Sequence, residues 1–204
     1  TPIINPTGPI QICADSSVIL YSSASTDNEW YKDGILISGG TSNSLQITEA
    51  GNYTVKVSNS NGCSSISSGV SIILLTNPIV SIGPDKSVFE GDSVQLISTV
   101  SGGNLFNYLW TPSQYLSDNI IANPWVINPL SDMLYKLTVI NENGCRASNT
   151  VNVKLLKDLK IPNVFSPNGD GLHDYWDITN LDLFPNATVQ IFNRNGQIIF
   201  QSKG

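Results

Sequence analysis

A chain of 204 residues with a formal net charge of −6 and only ten Lys and Arg lacks the dense positive surface that a phosphate backbone requires, which argues against nucleic acid as a partner. Charged residues make up 13% of the chain and hydrophobic ones 40%, a balance that suits many short strands and turns better than helices with salt-bridged faces. The longest apolar run, around Val70 to Leu75, has the length of a strand and falls far short of a membrane-spanning helix.

The chain opens on Thr1-Pro2-Ile3, without the basic and apolar regions of a leader, and passes directly into a repeat. We expect it to be an internal piece of something longer, the alternative being a leader already removed. Residues 1–76 read as one unit. Val18, Leu20 and Tyr21 mark an early strand, Glu29-Trp30-Tyr31 precedes an Asp33-Gly34 turn, and both Ser44 to Thr48 and Tyr53 to Ser58 alternate polar with apolar. The order Cys13, Trp30, Tyr53, Cys63 loosely matches an immunoglobulin-like sandwich, with an interior tryptophan between sheets and a late tyrosine leading toward the second cysteine.

Residues 77–156 repeat the pattern. Ile12 to Leu20 aligns without a gap on Val88 to Leu96, Trp30 on Trp110, and Tyr53 to Cys63 on Tyr135 to Cys145. Self-similarity of this kind predicts tandem copies of one fold. Leu109-Trp110-Thr111-Pro112, Asn123-Pro124 and Tyr135 to Val139 in the second copy resemble PKD-like repeats of secreted and surface proteins, which act as spacers or adhesive modules. Trp30, Trp110 and Tyr135 are expected in the core, and Trp125 at the surface, where it could stack on a sugar.

Cys13 and Cys63 stand at the two ends of one repeat and are predicted to be bridged in an exported protein. In the chain-entropy model a ~50-residue loop of this kind contributes about 4 kcal/mol. Phe89 replaces Cys13 in the second copy, so Cys145 is expected to be free and packed against Phe89.

Lys154 to Lys160 reads as a linker into a third unit, residues 157–204. Its opening is the least repeat-like part of the chain. Pro162 and Pro167 keep Asn163 to Ser166 extended, and Asn168-Gly169-Asp170-Gly171 then turns tightly. Asn168, Asp170 and Asp174 bring oxygens around that turn. Two readings stand: a calcium ion held by these three residues with backbone carbonyls, or side chains bonded to their own backbone. Beyond it, Tyr175 to Ile178 and Thr188 to Phe192 read as strands, and Asn195-Gly196 as a hairpin turn with positive φ at both residues.

Ile161 to Asp174, followed by Phe184-Pro185 and Val189 to Gly196, resembles the gliding-motility-associated C-terminal domain, the type B sorting domain of the type IX secretion system of Bacteroidetes. The matching motif residues are Pro162, Phe165, Pro167, Asn168, Gly169, Asp170, Gly171 and Asp174. The family usually has Asn where this chain has His173, and often Trp where it has Asn195. Its members normally continue past a Lys-Gly such as Lys203-Gly204 into further strands, so the hairpin ending at Phe200 is expected to have its edge covered by another chain or a borrowed strand, unless the protein itself continues.

The expected fold is therefore all-β: tandem immunoglobulin-like or PKD-like sandwiches followed by a partial β-sandwich sorting domain. His173 is the only histidine, no serine or cysteine stands in a setting that activates a nucleophile, and three scattered cysteines give no zinc spacing, so no enzymatic site is expected. The resemblance implies recognition by the type IX machinery and an outer-membrane barrel, and a secreted or cell-surface location. An adhesin-like, gliding-associated protein is the leading reading, with glycans or surfaces as further partners. Accessory domains of a polysaccharide-degrading enzyme and a filament or matrix subunit are the alternatives.

Overall fold

The computed structural model describes residues 1–203, so the expected end at Gly204 lies outside the described residues. Among those residues the chain is built from strands, with one 3-10 turn at Leu181–Leu183. The first copy contributes β1 (Ile4–Asn5), β2 (Ile10–Cys13), β3 (Val18–Ser22), β4 (Asn28–Lys32), β5 (Ile35–Leu36), β6 (Ser44–Ile47), β7 (Gly51–Ser58), β8 (Ser64–Ile66) and β9 (Val70–Leu75). They form two sheets, β1-β3-β6 and β2-β9-β7-β4-β5, with β8 also on β7. Alternation along β3, β4 and β7 sends Leu20, Trp30, Tyr53 and Val55 inward, where they are sealed with Ile47, Val70 and Ile72. The indole of Trp30 donates to the Ser42 carbonyl, and the Tyr53 hydroxyl to the carbonyl of Glu49, four residues upstream, the tie expected of a tyrosine corner.

The second copy contributes β10 (Ile79–Ile82), β11 (Lys86–Phe89), β12 (Ser93–Gln95), β13 (Ser98–Ser101), β14 (Phe106–Thr111), β15 (Trp125–Ile127), β16 (Met133–Asn141) and β17 (Arg146–Leu156). The sheet β11-β17-β16-β14 matches β2-β9-β7-β4 strand for strand, and in both copies the first strand of that sheet joins the last in parallel. Val88, Leu96, Trp110, Val126, Tyr135 and Leu137 are buried here. The Trp110 indole donates to the Ile121 carbonyl, as its counterpart does to Ser42. Burial pushes the Tyr135 phenol up to about 12. Because β17 runs to Leu156, the expected linker begins later than Lys154.

The chain gathers into two compact units: Thr1–Ser81 with Thr99–Leu109 and Thr138–Ser148, and Ile82–Ser98 with Trp110–Leu137 and everything from Asn149 onward. One end of the second copy thus belongs to the same unit as the whole first copy, and the bonds there explain why. Asn141, 2% exposed, donates from Nδ2 to the carbonyls of Thr76 (2.9 Å) and Gly102 (3.1 Å), while its Oδ1 accepts from the amides of Asn143 and Cys145. The Glu142 carboxylate accepts from the amides of Asn104 and Leu105, and Asn77 donates to Asp15 at 2.6 Å. Gly102, at φ +87°, lets the backbone pass so close to Asn77 that a Cβ would lie 2.5 Å from its carbonyl oxygen.

The disulfide in this junction corrects the expected pairing. Cys13 is bonded to Cys145, with Cα atoms 5.5 Å apart, and Cys63 is a free, exposed thiol. Strand register shows why Cys13 and Cys63 do not meet. Gly51 lies level with Ile72 and Cys13 level with Leu75, while β7 runs the other way to Ser58, beside Ser64. The two cysteines therefore sit at opposite ends of one sheet, roughly ten residue rises or about 33 Å apart, against the ~7 Å limit for bridgeable Cα atoms. Phe89 and Cys145 do not pack together either. Phe89 is level with Leu156 at the far end of β17, eleven residues beyond Cys145, which lies just before that strand.

Beyond β17 there are only two strands among the described residues, β18 (Thr188–Phe192) and β19 (Ile198–Lys203), which form an antiparallel hairpin. Tyr175 to Ile178, expected as a strand, has no ladder partner among the described residues, and an isolated bridge between Lys160 and Thr179 closes behind it.

Candidate functional site

The loop from Pro162 to Asp174 is stapled at its base. The Trp176 indole donates to the Pro162 carbonyl at 2.7 Å, the Ser166 amide donates to the His173 carbonyl at 2.8 Å, and the bridge between Lys160 and Thr179 lies just below. Trp176 looked from sequence like a strand residue. It serves instead as the strut that closes the loop, a role carried by one indole N–H and one carbonyl with no periodic signal.

Inside the staple, Asp174 organises the turn. Its Oδ1 accepts from the amides of Asn168 (3.0 Å) and Gly169 (2.7 Å), and its Oδ2 from the amide of Gly171 (2.8 Å). Asp170 accepts from the Leu172 amide through Oδ1 and from the Asn168 side-chain amide through Oδ2, and the Asn168 Oδ1 accepts in turn from the Asp170 amide. Backbone N–H donors hold the Asp174 carboxyl below the ordinary aspartate range, and the Leu172 amide does the same for Asp170, helped by the Asn168 side chain. Gly169 and Gly171 supply left-handed backbone at φ +75° and +84°, and His173 also adopts it at +57°. Asn tolerates that region better than most side chains, which accounts physically for the residue usual in the resembling family at this position.

The structure thus brings Asn168, Asp170 and Asp174 together, as expected, with their oxygens directed at N–H groups of their own loop. A calcium ion would compete with those N–H groups for the same lone pairs. As arranged, the three side chains form a hydrogen-bonded turn. Around the loop, Val164, Phe165, Leu172 and Tyr175 are exposed apolar side chains. Open clefts flank Trp176: one of about 570 Å³ over Gly171, His173 and Asp174, the other of about 560 Å³ reaching Val189 and Phe200 on the hairpin. Trp125, on β15, is 46% exposed.

The hairpin turn differs from expectation in detail. Only Gly196 of the Asn195-Gly196 pair has positive φ. Asn193 Oδ1 accepts from the amides of Asn195 and Gln197, the Asn193 amide donates to the Gln197 carbonyl, and the Gly196 amide to the Asn193 carbonyl. This is a three-residue loop closed by a left-handed glycine. Asn59 to Cys63 and Asn141 to Cys145 repeat the same bonds, with Gly62 and Gly144 at φ +80° and +79°. Sequence reading aligned the first two turns and missed the third, although Asn-x-Asn-Gly recurs in all of them.

Comparison with solved structures finds similar chains of low identity. The fibronectin(III)-like modules of Clostridium thermocellum CbhA match at 12% identity over 77% of this chain and 95% of theirs, with a TM-score of 0.38. The insect immune protein hemolin matches at 13% identity over 77% and 47%, with a TM-score of 0.42, and the N-terminal Ig1-2 module of the Drosophila receptor protein tyrosine phosphatase DLAR at 14% over 76% and 98%, with a TM-score of 0.34. Comparison with curated proteins gives no match. The segment with the stapled loop and the hairpin is where a family is found: residues 159–204 match the CHU_C Type IX secretion signal domain, which marks this as a secreted or cell-surface protein that engages the type IX secretion system.

Proposed function

We propose that the chain is a non-catalytic, adhesin-like part of a cell-surface protein, in which the two immunoglobulin-like repeats extend and present while the third unit is read by the export machinery. The match of residues 159–204 to a type IX secretion signal carries this reading. The covalently tied junction supports it, since a bridge and a buried Asn141 join one repeat to the next. We assign recognition to the face of the loop where Phe165, Leu172 and Tyr175 stand exposed around a turn fixed by Asp174. An outer-membrane barrel of the type IX pathway is the proposed receptor, and gliding-associated attachment to glycans or surfaces the proposed outcome. Accessory domains of a polysaccharide-degrading enzyme are the runner-up.

The test is localisation in a bacterium with an active type IX system. The full chain behind a cleavable leader is expected outside the cell, and the same chain lacking residues 159–204 is expected to remain in the periplasm. Export of both forms alike would remove the third unit from the pathway.

A further inference from the structure

We propose that the Cys63 end of the first repeat is a socket for the end of another immunoglobulin-like repeat, and that Cys63 forms a disulfide with a cysteine at the end of that repeat's second strand, as Cys145 does with Cys13. The inference does not depend on the export reading. It rests on two copies of one turn in the same chain, one covered and one open.

Cys63 and Cys145 occupy the same place in the same turn, with matching hydrogen bonds to Asn59 and Asn141. Cys145 is buried and bonded to the first repeat, whereas Cys63 is exposed and free. Asn141 uses Nδ2 to hold the Thr76 carbonyl of the segment that enters from the first repeat, and the Nδ2 of Asn59 makes no bond among the described residues. An open cavity of about 400 Å³ lies over this end, lined by Pro2, Ser23, Ala24, Val57, Asn59 and Cys63 among others. The aligned positions in the second copy are Pro78, Thr99, Val100, Val139, Asn141 and Cys145, all within the compact unit that contains the first repeat. What fills the equivalent surface is therefore a repeat of this fold, and that fixes the occupant.

A second observation lies beside the socket. Asn28 is 1% exposed and faces Val57 across the β4-β7 ladder. Its Nδ2 donates to the carbonyls of Ala24 and Thr26, while its Oδ1 has no partner. A buried acceptor left unpaired is costly, and the strand that carries it borders the open end through Val57. The sequence beyond the second copy points the same way. Phe89 stands in the place of Cys13, and Gln197 in the place of Cys63 and Cys145 in the third turn, so both halves of a following bridge are absent together.

The chemistry is thiol–disulfide exchange with a small-molecule disulfide such as oxidised glutathione. Two protein thiols lose two electrons and two protons, one S–S bond forms, and the oxidant leaves as two glutathione thiols. The test is a chain with a second copy of residues 1–76 fused ahead of Thr1, produced with oxidised glutathione and mapped by non-reducing mass spectrometry. The expected bridge joins Cys13 of the added copy to the original Cys63, leaving the added copy's Cys63 as the thiol that alkylates. An original Cys63 that stays free while Cys13–Cys145 is intact, or an added Cys13 that pairs within its own copy, would overturn the proposal. A second form with Cys13→Ser in the added copy separates docking from bonding. Alkylation of the original Cys63 by iodoacetamide is expected to slow at least about tenfold relative to the 204-residue chain, and an unchanged rate contradicts the socket.

Discussion

Asp174 holds the export-signal loop with three backbone amides, so its replacement should be felt there before anywhere else. Asp174→Ala is expected to leave both repeats folded and to speed hydrogen exchange at Asn168, Gly169 and Gly171 by roughly tenfold or more. Unchanged exchange would mean that the loop is held by other bonds. The same amides give the sign of the pH dependence. Because the folded carboxyls of Asp170 and Asp174 lie below their ordinary values, their contribution is complete above the unfolded aspartate pKa near ~3.9 and is lost as pH falls through the lower folded values. Amide shifts of Gly169 and Gly171 should titrate with a midpoint below that of an ordinary aspartate, and a midpoint at or above it would contradict the geometry. Calcium offers a separate check. A self-satisfied turn predicts no change in Tm with chelator or added calcium, whereas a rise with calcium would place an ion among Asn168, Asp170 and Asp174.

At the scale of elements, the repeated turn makes a controlled comparison possible. Asn141→Ala strips a buried residue whose loss orphans two amides and two carbonyls, and should cost about 2–3 kcal/mol. Asn59→Ala removes the same acceptor at an exposed turn where water substitutes, and should cost about 1 kcal/mol or less. Denaturant melts of the two variants decide; equal costs would mean that Asn141 is not a junction residue. Much of this level was legible in the sequence, because strands announce themselves by alternation and Trp30 and Trp110 by their matched places between turns. Tyr175 to Ile178 misled for a physical reason: a run of β-forming residues specifies an extended backbone but not a partner, and here the one strong bond goes from the Trp176 indole to Pro162. The bridge misled for another. Aligning repeats shows which cysteines are equivalent within a copy, while Cys13 and Cys145 meet across copies, and only strand register shows that Cys13 and Cys63 lie at opposite ends of a sheet.

For the whole molecule, the bridge closes a sequence separation of 132 residues, worth about 5 kcal/mol in the chain-entropy model. It also sets the path of a pulling force. Load applied at the two ends passes from Cys13 to Cys145 and skips the chain between them. Stretching single molecules in reductant should therefore release roughly 450 Å more chain than in its absence, from a separation of 132 residues at about 3.5 Å each. Equal extension in both conditions would place the bridge off the load path. The claim on which the covalently tied pair of repeats depends is tested most directly by non-reducing peptide mapping of the secreted chain. A peptide joining Cys13 to Cys145, with Cys63 alkylated, is the expected result; a peptide joining Cys13 to Cys63 would contradict the account.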